Sequence, residues 1–375
     1  MSNKDDVLDN ILADVPKVQE NAAVVDKKNT TIKAKFKPGV GVDIGTSNIV
    51  VSRQTEDGTF INRYHRNMLY PLDVSEEAEN LLEKSSYLYV KVGKKYYVVG
   101  EDALTLVNAI GKGDIVRPMK DGILNPSLKE SSELLFYIIK AVVGNPIVPN
   151  EPLRYSIPAN PIDVNVNNLF HKMVLMSFFQ KMGFNPKAVN EGMCIAFDTN
   201  PTMKTEEGTV PLSGISCSCG AGMTNIALSF KGMELRSFSI TKSGDYIDEQ
   251  VSKVTGVMKS KVIKRKEKEL DLSNLNEDRV LSALAIYYEE YIDRICHLIG
   301  KEFLDKSSEI EGEIEIIVAG GSSMPPGFCQ KFETAIKDSE LPFKISHVRA
   351  SPTPFYSVAQ GASIRAIADY NKSKS

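Results

Sequence analysis

Three glycine-containing turns gather the residue types that bind anions. The first, Asp43-Ile44-Gly45-Thr46-Ser47-Asn48, puts a carboxylate, a glycine and two hydroxyls within six residues at the end of an apolar run. Gly45 permits a tight turn, so that backbone N–H groups and the Thr46 and Ser47 hydroxyls can face a phosphate, while Asp43 stands where a carboxylate holds Mg2+ through water. Taken alone, the pattern is weak and fits an ordinary turn better. The second, Cys219-Gly220-Ala221-Gly222-Met223-Thr224-Asn225, is the same kind of turn between two strand-like runs. The third, Ala319-Gly320-Gly321-Ser322-Ser323, follows the run IEIIV. A glycine pair at a strand-to-helix turn lets a phosphate or a flat ring reach the backbone, and a helix opening behind Pro325 and Pro326 adds partial positive charge.

Such turns must be held by strands, and the apolar pattern supplies them. VGVDIGT and NIVVSRQ, followed by the turn TEDG and TFINRY, read as hairpin strands; YLYVKV and YYVVG form another pair across Gly93-Lys94-Lys95. Helices are expected at EDALTLVNAI, from about residue 127 to 143, and at NLFHKMVLMSFFQKMG, stopped by Gly183. LRYSIPA reads as a strand. A second hairpin, GISCSC with TNIALSF, turns at Lys231-Gly232 into MELRSFSI. Leu281, Leu284, Tyr288, Ile292, Ile295, Ile299 and Phe303 then mark the stripe of a long helix, and IEIIVAGG, a helix, FKISHV and a last helix complete the chain. The order is hairpin, αβ, hairpin, αβ, as though one unit occurs twice, and the class is α/β with helices on the sheet faces.

Composition narrows the function. The chain has 375 residues, of which 42% are hydrophobic, enough for two domains or one split domain. Lys plus Arg is 45 against 48 for Asp plus Glu, a net charge of -3, so no overall positive field exists to gather nucleic acid. Five scattered cysteines, an odd number, point to a reducing cytoplasmic setting rather than a disulfide framework. Cys217 and Cys219 alternate on one strand face, which suits small core residues better than a metal site. No apolar run approaches the roughly 20 residues a membrane-spanning helix needs.

Taken together, the three turns in this order resemble the actin-like ATPase superfamily of actin, the 70-kDa heat-shock chaperones, sugar kinases and bacterial actins. VGVDIGTSNIVV is similar to its first phosphate loop, ISCSCGAGMTNIALSF to its second and IIVAGGSSMPPGF to its adenosine loop. IVRPMKDGIL, YSIPANPIDVNVNN, VNEGMCIAFD and SGDYIDEQV resemble further MreB-type segments, in family order from about Val40 to Ala366. The resemblance implies two similar ribonuclease-H-like halves with mixed five-stranded sheets, flanked by helices, around a nucleotide cleft. It implies domain IA at 36–59, 105–190 and 350–375, small domain IB at 60–104, domain IIA at 191–242 and 279–349, and small domain IIB at 243–278; residues 1–35, polar and charged with no aromatic before Phe36, read as a mostly disordered tail. It also implies ATP and Mg2+ as ligands and polymerisation into a filament of identical subunits.

Residue roles carry over one at a time. Asp43 would hold the Mg2+ water shell, with Gly45, Thr46, Ser47 and Asn48 around the β- and γ-phosphates. Gly220, Ala221, Gly222, Met223 and Thr224 would form the second loop, and Gly320, Gly321 and Ser322 the adenosine loop. Asp163 falls where MreB has the Glu that orients the attacking water; capping of the following helix is the plainer alternative. Ser218 departs from the pattern, since it stands at a carboxylate position and brings no negative charge, which implies binding with slow hydrolysis. Glu191, next to Asn190, would touch the Mg2+ shell, although Gly192 replaces the usual Pro. Lys264 and Glu267 would meet ribose and base, with register open by a residue or two, or else belong to a solvated face. Two segments fall outside this scheme. Met68, Leu69 and Tyr70 are either a small membrane-facing loop or core. In the tail, Val7, Leu8, Ile11, Leu12 and Val15 recur at helical spacing among Asp5, Asp6, Asp9 and Asp14, as a fraying helix or as one that binds a partner protein.

Overall fold

The computed structural model describes residues 35–199, 202–205, 208–211, 213–274, 277–310, 312–339 and 341–374, for 202–205 and 208–211 the backbone alone. The helical pattern at Val7–Val15 lies outside the described residues.

The first half opens with a meander of β1 (Phe36–Ile44), β2 (Asn48–Thr55) and β3 (Phe60–Arg66). A separate sheet of β4 (Leu69–Asp73), β5 (Tyr89–Val92) and β6 (Lys95–Val99), in the order β4-β6-β5, is accompanied by α1 (Glu76–Ser85) and α2 (Glu101–Ile110). A short hairpin of β7 (Met119–Lys120) and β8 (Ile123–Leu124) precedes α3 (Ser131–Val143). β9 (Pro152–Ile157) and β10 (Asn185–Asn190), joined through α4 (Leu169–Lys181), then return parallel to β1, giving the order β10-β9-β1-β2-β3.

The second half repeats this plan. After α5 (Glu191–Thr199) and the hairpin β11 (Thr202–Thr205) and β12 (Gly208–Pro211) come β13 (Gly214–Cys219), β14 (Thr224–Phe230) and β15 (Met233–Ile240). α6 (Gly244–Thr255), α7 (Lys259–Glu269) and α8 (Arg279–Glu302) follow, then β16 (Glu313–Ala319), α9 (Phe328–Lys337), β17 (Lys344–Ala350) and α10 (Ser357–Lys372). The sheet order is β15-β14-β13-β16-β17. Each five-stranded sheet therefore has three antiparallel strands followed by two parallel ones, and the duplication expected from the sequence is present.

Each sheet has its own apolar core. Val40, Val42, Leu153 and Tyr155 are fully buried under the helices of the first half, and the α8 stripe from Leu281 to Phe303 closes over β13, β14 and β16. Asp278 caps α8 by accepting from the amides of Val280 and Leu281, so the helix starts where its apolar stripe must begin. One helix ties the halves together. α10 lies so close to β1 that a Cβ on Gly41 would stand 1.9 Å from the Ala359 carbonyl oxygen, and so close to α5 that a Cβ on Gly361 would stand 1.8 Å from the Cys194 oxygen. Only glycines at those points let one helix touch both.

Met68, Leu69 and Tyr70 are buried core residues, so a membrane-facing loop at that place is excluded. The hairpin β11 and β12 has no counterpart in the sequence reading. The five cysteines are unpaired, with Cys217 and Cys219 in the second core. Among the described residues no helix is long and apolar enough to cross a membrane.

Candidate functional site

The two hairpin turns are built alike. In the first, the Gly45 amide donates to the Asn48 carbonyl oxygen at 2.9 Å, and in the second the Gly220 amide donates to that of Met223 at 3.0 Å. A Cβ on either glycine would lie 2.7 Å from the same carbonyl that closes its turn. The residue type is thus set by the turn itself. Among the described residues, the amides of Thr46, Ser47, Ala221 and Gly222 find no acceptor in the protein, which leaves donors of the kind that cradle anions.

Pairing of β1 with β2 and of β13 with β14 brings these turns to one cleft of about 720 Å3. They meet tip to tip: a Cβ on Gly222 would stand 2.2 Å from Thr46 Oγ1 and 2.9 Å from the Gly122 nitrogen. The Thr46 hydroxyl also accepts from the Gly122 amide at 3.0 Å. Gly122 is presented by the two-residue hairpin turn Asp121-Gly122, both with positive φ (49° and 72°), as an Asp-Gly pair favours. RPMKDGIL is therefore a third segment holding the two loops.

Between the loops lie two half-buried carboxylates that line the cleft. Asp43 accepts from the Ser156 hydroxyl at 2.7 Å, and Glu191 accepts from the Ser218 hydroxyl at 2.6 Å. Burial raises the Asp43 carboxyl above its usual range, an effect that the Ser156 bond partly offsets. Burial, and next the nearby Asp43 charge, raise Glu191, with Ser218 and Asn225 opposing. The two carboxylates thus disfavour one another's charge, and the Ser218 hydroxyl donates a hydrogen bond where a third carboxylate would add repulsion.

The adenosine-loop segment closes the other side. Gly320, at φ +90°, comes so near Cys219 that a Cβ would be 2.5 Å from its oxygen, and Ser322 Oγ donates to the Gly220 oxygen at 2.9 Å. The helix expected behind Pro325 and Pro326 is present. A three-residue 3-10 turn, Gly321–Ser323, occupies the loop, and α9 opens only after Pro325, Pro326 and Gly327, because proline removes the N–H groups that would continue it.

The family model of Volactin matches residues 39–366 of the 375. The chain belongs to the Volactin family. No curated protein matches it in sequence. Among solved structures, this Volactin-family chain is similar to a MamK double helical filament, at 19% identity and TM-score 0.60 over 88% of this chain and 98% of that one. It is also similar to MreB5 of Spiroplasma citri bound to AMPPNP, at 15% identity and TM-score 0.61 over 90% and 98% of the two chains. A third likeness is to the ethanolamine utilization protein EutJ of Carboxydothermus hydrogenoformans, at 13% identity and TM-score 0.53 over 90% and 92%. At such identities these likenesses establish the actin fold related to MreB-type proteins.

Within the Volactin-family chain most residues singled out from sequence come together. Asp43, Gly45, Thr46, Ser47, Asn48, Glu191, Ser218, Gly220, Ala221, Gly222, Met223, Glu267, Gly320, Gly321 and Ser322 all line the cleft. Three do not. Thr224 is buried with its hydroxyl bonded to those of Ser243 at 2.8 Å and Tyr291 at 2.6 Å. Lys264 is exposed away from the cavity; Lys266, two residues on, lines it and pairs with Asp248 at 2.8 Å. Asp163 is also outside, its carboxylate accepting from the Thr241 amide at 3.0 and 3.1 Å and from its hydroxyl at 3.2 Å. It thus joins the halves instead of capping α4, whose Leu169 amide donates to Asn167 Oδ1 at 2.7 Å.

The rim carries residues that sequence reasoning gave no role. Arg66, at the end of β3, makes a two-pronged pair with Glu267 of α7 at 3.0 and 2.6 Å and also meets Glu101. Arg117 holds Asp245 with both oxygens at 2.6 Å. Both pairs join segments more than a hundred residues apart across the cleft mouth. Arg117 and Asp245 lie inside RPMKDGIL and SGDYIDEQV, so the signal was present as a pattern without a partner.

Proposed function

We propose that this chain binds ATP with Mg2+ in the cleft and assembles with copies of itself into cytoskeletal filaments, hydrolysing the nucleotide slowly. One observation carries the reading: two glycine turns of like build, with unused amides, opposed across one cavity over a half-buried acidic pair. Free backbone donors on both sides suit a chain of phosphates, which the loops stabilise by fixed dipoles. Among the described residues no three His, Cys, Asp or Glu stand close enough to cage a metal. That donor set fits Mg2+, which keeps its waters and takes one or two carboxylates plus phosphate oxygens. Asp43 and Glu191 are the residues that would hold it, and when bound it would neutralise charge developing on the phosphates.

Slow hydrolysis follows from two residues. Ser218 offers a hydroxyl where a carboxylate would polarise the attacking water, and Asp163 would have to leave Thr241 before it orients that water. Lys266, Glu267 and the Gly320–Ser322 loop are suited to ribose and base. The likeness to the MamK filament structure supports self-assembly, and the AMPPNP-bound MreB5 structure supports a nucleotide in the cleft. The division into two halves, each with a small accessory unit, and a cytoplasmic setting with unpaired cysteines belong to the same reading. A nucleotide-locked adaptor that hydrolyses almost nothing is the second reading, favoured by Ser218.

Sedimentation and negative-stain microscopy with and without ATP and Mg2+ separate the readings. Nucleotide-dependent filaments support the first, whereas monomer at every protein concentration and salt sinks it. For the site itself, Ser218→Asp should raise phosphate release by roughly 10²-fold, the scale of a positioned acid or base. An unchanged rate, or a wild type already fast, removes the role given to Ser218.

A further inference from the structure

We propose that Asn67, which takes no part in the cleft wall, is a positioning residue for the first glycine turn: its carboxamide holds the Gly45–Thr46 peptide so that the Thr46 amide points at the ligand's phosphates. The proposal rests on the nucleotide reading of the cleft and names the group that orients one of its donors. Asn67 directly follows β3, is fully buried and is not among the residues lining the cavity, so it stands behind the turn. Its Nδ2 donates to the Gly45 carbonyl oxygen at 3.1 Å, and its backbone amide donates to that of Ser47 at 2.7 Å. The Oδ1 atom of the same carboxamide is buried without a partner. An apolar side chain of like shape would avoid that orphaned oxygen, so packing alone does not account for an asparagine at this place.

The consequence comes from the peptide bond itself. A trans peptide is planar, with its C=O and N–H pointing in opposite directions. Once the Gly45 oxygen is drawn back toward Asn67, the Thr46 N–H at the other end of the same plane faces away from Asn67. That direction is the cleft, which Thr46 lines, and this amide has no acceptor in the protein.

The second turn repeats the device with different donors. The Gly220 oxygen accepts from the Ser243 hydroxyl at 2.7 Å, the Ser322 hydroxyl at 2.9 Å and the Gly244 amide at 3.3 Å. The Ala221 oxygen accepts from the Asp245 amide at 2.7 Å. By the same planar rule these bonds turn the Ala221 and Gly222 amides outward. The two turns differ in how heavily they are held, because among the described residues the Gly45 oxygen accepts from Asn67 alone.

Asn67→Leu keeps the branched shape and removes the donor; Asn67→Ala removes it without added bulk. Calorimetric titration of each variant and wild type with ATP, tripolyphosphate and adenosine, all with Mg2+, reads the effect, and urea unfolding reports the fold. Loss of one oriented donor to a charged oxygen should weaken ATP and tripolyphosphate alike by roughly 10- to 150-fold. Adenosine should stay within about twofold, so the ratio of ATP to adenosine affinity falls. Ser243→Ala leaves the Gly220 oxygen two donors and should weaken ATP by about threefold or less. An unchanged ratio in a folded Asn67 variant overturns the proposal and leaves the nucleotide reading standing. Equal loss for all three ligands also overturns it, as the mark of a cleft loosened throughout. A wild type that binds neither ATP nor tripolyphosphate removes the nucleotide reading, and this proposal with it.

Discussion

Gly222→Ala tests the meeting of the two loops most directly. The added Cβ would stand 2.2 Å from Thr46 Oγ1 and 2.8 Å from Thr46 Cβ, against an ordinary contact of 3.4 Å or more, so the loops must part by about 1 Å. Gly222 does not have a left-handed φ, so alanine brings no backbone strain of its own. Thr46 cannot simply rotate away, because its hydroxyl accepts from Gly122, a bond contributing about 0.5–1.5 kcal/mol. Overpacking of this kind costs about 1–3 kcal/mol. Under the proposed function these two loops hold the phosphates, so a cost of this size on their meeting would weaken nucleotide binding by roughly 5- to 150-fold. Calorimetric titration with ATP and Mg2+ reads the affinity, and urea unfolding reads stability. Gly321→Ala, with nothing within 4 Å of its added Cβ, is the control for stability. Wild-type affinity in Gly222→Ala, within about twofold, would refute the opposed-loop geometry and the binding mode built on it.

Three further outcomes follow from buried or clasping groups. Asp198 is raised to about 6, chiefly by burial, with Ser357 and Ser351 opposing; its stabilising share is full below the unfolded value near 4 and is lost as pH rises through 6. Asp198→Asn should therefore gain up to about 3 kcal/mol over wild type at pH 7.5 and little at pH 4 in urea unfolding, and a gain equal at both would reject the assignment. His171, pushed down to about 4 by burial and with neither ring nitrogen bonded, loses stability as pH falls from 6.5 toward 4. His171→Phe should flatten that acid limb by about 3 kcal/mol, measured by melting temperature between pH 7 and 4.5. Arg66→Ala removes the clasp to Glu267 and should speed nucleotide release a few-fold in stopped-flow fluorescence, with the difference shrinking at high salt, since exposed pairs contribute about 1 kcal/mol or less.

Much of the fold was legible because its signals are local. Alternation marked the strands, the stripe from Leu281 to Phe303 marked α8, and Gly45 and Gly220 declared turns that only their residue type permits. Facing along α7 was half legible. Ile263, Lys266, Glu267 and Leu270 share one helical face and line the cleft, so helical phase favours Lys266 over Lys264. Thr224 looked like a loop residue by sequence adjacency, but pairing of β14 with β13 and β15 turns its hydroxyl toward Tyr291, a partner 67 residues away.

By itself, then, the sequence determined the α/β class, the duplicated half, the three turns and the substitution of serine at 218, because each depends on residue type and on neighbours within a few positions. Tertiary structure alone decided that Gly222 meets Thr46, that Asp43 and Glu191 stand together in the cleft, that Asp163 is tied to Thr241, and that Arg66 and Arg117 clasp the rim. Those are contacts between residues about 75 to 200 positions apart. Their energies come from close approach and burial, quantities that exist only once two separate sheets have been packed about α10.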